Sequence, residues 1–169
     1  MNAQDPPHDG AADAAGSNAL IDQIVDRLHA KLPAEQAEEV AEFTRQYYGQ
    51  VAIDDLAESK LADLYGAALS HWNFARSFAG GAPKLRVYNP KLDEHGWQST
   101  HTVIEIVNDD MPFLVDSITM EVNRQGLTLH LIVHPVMKVR RDAQHRLVEL
   151  ARRESIANNR CWRPGLNSG

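Results

Sequence analysis

The sequence predicts an α+β protein: a helical segment followed by an incomplete ferredoxin-like antiparallel sheet of order β-α-β-β. Three observations predict it. Apolar residues recur at helical spacing from Leu20 to Ala75. The period changes to two after Gly80-Gly81-Ala82-Pro83. A helix-period stretch, Leu114 to Val122, then sits between two β-branched runs and stops at Gly126.

Residues 1–16 are mainly Ala, Asp, Gly and Pro. They offer too little apolar surface to offset ordering entropy and are expected to be a disordered tail. Residues 17–80 are expected to be helical. Leu20, Ile21, Ile24, Val25 and Leu28 make one stripe, with Ser17 or Asn18 as N-cap. Pro33 stops that helix and starts a second, carrying Ala37, Val40, Ala41, Thr44 and Tyr48 to Gly49. Asp54 or Asp55 opens a third, with Glu58 spaced for a capping box and Leu61, Leu64, Tyr65, Ala68, Leu69, Trp72 and Ala75 on its apolar face.

Residues 84–150 form the sheet domain. Leu85 and Val87 alternate with Arg86 and Tyr88 in a short strand, and a polar loop bearing Trp97 follows. Trp97 is expected to cover a sheet edge. His101 to Val107 is the second strand. From Leu127 to Val139 every second residue is apolar, which predicts one long strand, joined to its neighbour by a right-handed crossover through the helix. Arg140-Arg141-Asp142-Ala143 is a turn, and Arg146 to Leu150 returns antiparallel. Residues 151–169 show no usable period and read as an irregular tail of truncated or non-native origin.

The chain has 169 residues, 43% of them hydrophobic, enough for a core. A net charge of −6 argues against a nucleic-acid footprint. No apolar run approaches the roughly 20 residues that span a bilayer, and the N-terminus lacks a secretory pattern. Cys161 is the single cysteine, so no intrachain disulfide can form. A soluble cytoplasmic protein without nucleic-acid or membrane partners is expected.

Polar groups converge at the strand-to-helix turn Asn108-Asp109-Asp110-Met111-Pro112. N–H groups at a helix start attract a carboxylate, and Asp side chains can hold an amino group, so Asn108, Asp109 and Asp110 are candidate effector-binding residues for a free amino acid. The competing reading is that Asp109 or Asp110 simply caps the helix. His130 and His134 share a strand face, but their Cα atoms would lie roughly 13 Å apart, and no metal site is expected. Cys161 has no identifiable base, so no catalytic residue is assigned. Lys138, Arg140 and Arg141 read as a solvated strand edge. No glycine-rich phosphate loop follows a strand, so no cofactor is expected in this chain itself.

Tyr88-Asn89-Pro90, Gly96-Trp97-Gln98-Ser99, the run from His101 to Ser117, Asn123-Arg124-Gln125-Gly126, and His134-Pro135-Val136 through Arg141-Asp142 resemble the N-terminal region of the large bacterial NAD-specific glutamate dehydrogenases. The resemblance covers roughly Leu20 to Leu150. It implies a helical segment and a first ACT-like domain, here truncated, with catalysis and NAD binding further along the parent polypeptide. It implies a non-catalytic regulatory or assembly role. Partners would be other domains or subunits of the same enzyme, in a homo-oligomer, with an amino-acid effector as the alternative function. Where ACT domains carry a glycine after the proline of this turn, Phe113 stands here. Its side chain is expected to fill the effector's space.

Overall fold

The computed structural model describes residues 10–152. The α+β class holds: six helices and four strands are assigned among these residues. The helices α1 (Gly10–Lys31), α2 (Ala34–Tyr48), α3 (Ile53–Ala57) and α4 (Leu61–Ala75) come first. Then follow β1 (Lys84–Tyr88), the single turn α5 (Leu92–His95), β2 (Val103–Val107), α6 (Leu114–Arg124), β3 (Val139–Arg141) and β4 (Leu147–Leu150).

α1 begins inside the stretch expected to be a tail, and runs through Ser17 and Asn18 rather than being capped by either. The alanines of residues 10–19 explain this, because alanine has the best helix propensity. Pro33 is the N-cap of α2, with φ −56° and ψ 144°, and its carbonyl accepts the Ala37 N–H at 2.8 Å. The expected third helix is two helices. Leu56 closes a turn with the Ser59 N–H, and the Lys60 carbonyl then starts α4 by accepting from Asp63 and Leu64. No Asp54 or Asp55 capping box forms; Ala52 occupies the N-cap of α3.

The apolar stripes meet as predicted. Ile24, Leu28, Val40, Leu56, Ala68 and Trp72 are completely or almost completely buried in one core. Met137, Leu147 and Leu150 from the sheet domain pack against the same core. Helical segment and sheet domain therefore share their hydrophobic interior.

The sheet differs from the expectation. β1 and β2 pair antiparallel, with Arg86 opposite Glu105 and Val87 opposite Ile104. β3 and β4 form a second antiparallel pair, bulged between Arg140 and Arg141. The two pairs do not join. Residues 127–138 carry no strand assignment. The alternation that predicted a strand there is real, since Leu129, Val133, Pro135 and Met137 are half-buried between exposed neighbours. No ladder forms, and Pro135 lacks the N–H such a ladder needs. α6 is thus not a crossover between neighbouring strands.

Glycine stops act where expected. Gly126 has φ +71°; its N–H reaches the Asn123 carbonyl at 2.9 Å, and the Leu127 N–H reaches Val122 at 3.2 Å. That is a Schellman closure of α6. Met1 to Asp9 and Arg153 to Gly169, including Cys161, lie outside the described residues.

Candidate functional site

The loop between β2 and α6 lines an open cleft with a volume of about 1690 Å³. Asn108, Asp109 and Asp110 stand together on one rim, and the half-buried α6 residues Leu114, Val115, Ile118 and Val122 form part of the wall. Two of the three polar residues have internal partners. The Asn108 amide donates to Met111 Sδ at 3.1 Å. Asp109 Oδ2 accepts the Gly81 N–H at 3.4 Å, tying this loop to the Gly80–Gly81 turn, where both glycines have positive φ. Asp110 is exposed.

Neither aspartate caps α6. The N-cap is Phe113, in left-handed geometry at φ +63°, without a side-chain cap bond. Phe113 is 74% exposed, so its ring projects into solvent and not into the core. The reason is its backbone. The left-handed turn at Phe113 aims the Cβ away from the course an extended residue would give it.

A second cluster, which the sequence reading missed, lies between the helices and the β1–β2 hairpin. Successive strand residues face opposite sides. Leu85, Val87 and Ile104 are exposed, while Arg86, Tyr88 and Glu105 turn toward α4. Glu105 is only 4% exposed. Its Oε2 accepts from Arg86 Nε at 2.7 Å and from Arg86 Nη2, and its Oε1 accepts the Tyr88 hydroxyl at 3.0 Å. Ser70 of α4 joins by accepting from Arg86 Nη2 at 3.0 Å and bonding to the Tyr88 hydroxyl at 3.2 Å. Both oxygens of the buried carboxylate are thereby satisfied, which a charge out of water requires. The signal was present: Glu105 is the charge in the middle of Val-Ile-Glu-Ile-Val.

His71, also on α4, completes the cluster. Its Nδ1 lies 3.9 Å from Glu105 Oε1, beyond hydrogen-bond reach, and has no partner. Burial pushes its pKa below the usual histidine value; Glu105 pulls it upward and Arg86 pushes it further down. Burial raises the Tyr88 hydroxyl as well. It raises Tyr47 and Tyr48 too, and the Tyr48 hydroxyl donates to the Leu64 carbonyl at 2.9 Å.

Trp97 is buried between Gly66 of α4 and the end of β1, its ring 6.2 Å from that of Tyr88, centroid to centroid. A Cβ added at Gly66 would meet the Trp97 Cβ at 2.2 Å, so only glycine fits there. Arg141, read as a solvated edge residue, donates instead to the carbonyls of Ala75 at 2.9 Å and Arg76 at 3.1 Å. Lys84 donates to Phe74 and Ser77 at the same helix end. Cations at a helix C-terminus complement its dipole. Among the described residues no group of three or more His, Cys, Asp or Glu side chains is placed to hold a metal. The His101 and His130 rings lie 4.2 Å apart, centroid to centroid. No described helix is long and apolar enough to cross a membrane.

Residues 43–161 match the family model for the ACT1 domain of glutamate dehydrogenase. The chain belongs to the glutamate dehydrogenase ACT1 family. The NAD-specific glutamate dehydrogenase of Halomonas elongata is 49% identical over 132 residues, which is 78% of this chain and 8% of that protein. The enzyme of the same name from Pseudomonas aeruginosa is 43% identical over 112 residues, 66% of this chain and 7% of that protein. The chain thus spans less than a tenth of the length of these relatives. No solved structure matches it. The ACT1 match begins inside α2, so it takes in part of the helical segment along with both hairpins.

Proposed function

We propose that this chain is a non-catalytic regulatory and assembly region of an NAD-specific glutamate dehydrogenase. The parent reaction is L-glutamate, NAD and water to 2-oxoglutarate, ammonia and NADH, with NAD held elsewhere in a longer polypeptide. One observation carries this reading. Strong identity runs along most of this chain, yet it accounts for only 8% of a relative bearing that enzyme's name. The cytoplasm is the compartment that fits, supported by one cysteine in 169 residues. Assembly is supported by the outer face of β1–β2, where Leu85, Val87 and Ile104 are exposed side by side.

Two measurements test the proposal. The isolated chain should produce no NADH from glutamate and NAD, and turnover by it would overturn the reading. Light scattering should show Leu85→Lys with Val87→Lys lowering the association state of the chain. An unchanged mass would remove the assembly role from this face.

A second reading is an amino-acid sensor using Asn108, Asp109 and Asp110. It is supported by their common position on the rim of the open cleft. Calorimetric titration with a panel of amino acids tests it; no heat with any of them, on folded protein, sinks it for this chain.

A further inference from the structure

His71 is boxed in by rings and charge from three directions. Phe43 and Tyr47 of α2 lie 6.1 and 5.2 Å away, centroid to centroid, and Phe74 of its own helix lies at 6.3 Å. From β2, Glu105 approaches to 3.9 Å; from β1, Arg86 and Tyr88 hold that same carboxylate. The titratable and charged groups facing the imidazole are therefore Tyr47, Tyr88, Arg86 and Glu105.

We propose that His71 is a proton-sensitive latch, which leaves the β1–β2 hairpin seated on α4 while neutral and loosens it when protonated. The neutral ring makes no claim on Glu105, whose two oxygens are occupied by Arg86 and Tyr88. A proton on His71 places a second cation beside one buried carboxylate already paired to Arg86. The imidazolium would sit desolvated among Phe43, Tyr47 and Phe74, 3.9 Å from the carboxylate and beside the Arg86 guanidinium that already binds it. Arg86 is 35% exposed and Glu105 4%, so Arg86 is the partner free to move toward water. Its departure breaks the bond to Ser70 that joins hairpin to helix and the bonds to Glu105 that join β1 to β2.

The sign follows from linkage. The folded-state pKa of His71 is lowered, so the closed state excludes the proton. Its stabilisation is complete above the free histidine value of about 6.5 and is lost as pH falls below it. Opening is then favoured up to about tenfold per pH unit between that value and the folded pKa.

The test is hydrogen exchange of the 169-residue chain at about pH 7.5 and about pH 5.5, corrected for intrinsic rates, together with an NMR titration of the His71 ring. Acidification should lower protection at Arg86 to Tyr88 and Val103 to Val107 up to about tenfold. The His71 midpoint should fall below about 6.5. H71Q should abolish the pH dependence, and H71N serves if H71Q does not fold. Protection that is independent of pH in the wild type overturns the latch. So does an equal loss in a folded variant, or a His71 midpoint at or above the free value. If neither variant folds, a wild-type loss of protection whose midpoint departs from that of His71 has the same effect.

Discussion

Gly66 and Trp97 hold one place in the core between them. The side chain that a Gly66→Ala substitution adds would overlap Trp97 Cβ at 2.2 Å, and α4 and the α5 loop would have to separate. We expect a loss of about 1–3 kcal/mol, measured by denaturant unfolding. A result within experimental error of wild type would show that the two segments are not packed this way. Gly126→Ala tests a different constraint. Space is open there, but φ is +71°, so alanine should introduce only left-handed strain and cost about 1–2 kcal/mol of stability in the same unfolding measurement. At this scale the sequence was legible where one residue type has one use, as at Pro33 and Gly126. It was not legible at Gly66, because a glycine within a helical pattern does not say which distant ring lies on it. Nor was Phe113, whose left-handed backbone cannot be read from a bulky apolar residue.

Between elements, the pairing of Arg86 with Glu105 joins β1 to β2, and Ser70 extends the join to α4. Glu105→Ala leaves Arg86 and Tyr88 without their shared acceptor. Because Arg86, the charge left behind, is 35% exposed, the expected cost is mainly that of the lost hydrogen bonds, about 1–3 kcal/mol. Replacing Arg86 and Glu105 together with leucine should cost less than Glu105→Ala alone, since no charge is left stranded. Thermal unfolding of the three proteins in parallel checks this; a double variant worse than the single would place the energy elsewhere. Helices were largely legible because their stripes span many residues and each bad position is outvoted. The strands were not. Period two from Leu127 to Val139 established which side chains turn inward, but pairing depends on a partner edge, and nothing local encodes whether one is adjacent. The candidate loop Asn108 to Asp110 was found by its polarity, yet the engagement of Asp109 with Gly81 is a contact across the fold.

In the whole molecule, buried tyrosines set an alkaline limit. The pKa values of Tyr47 and Tyr48 are raised, so the folded state keeps their protons longer than the unfolded chain does. Their stabilisation is full below the free tyrosine value of about 10 and is lost as pH rises above it. Circular dichroism should therefore show melting temperature falling above about pH 10. Phenolate signals of Tyr47 and Tyr48 should appear together with unfolding rather than before it; their ionisation in the folded chain would contradict the buried placement. The family and its membership were legible from the continuous run between Tyr88 and Asp142, because long motifs carry information that periodicity does not.

The bond from the Gln46 side chain to the Ala151 carbonyl, 2.8 Å long, closes a separation of 105 residues. Met137, Leu147 and Leu150 complete the helical core from the same late part of the chain. On a ribosome, α1 to α4 emerge well before these residues do. At about 5–20 residues per second, roughly 4–15 s pass between the synthesis of Ala75 and that of Leu150. Throughout that interval the nascent helices lack the side chains that finish their core, and they are a target for chaperones that bind exposed apolar surface.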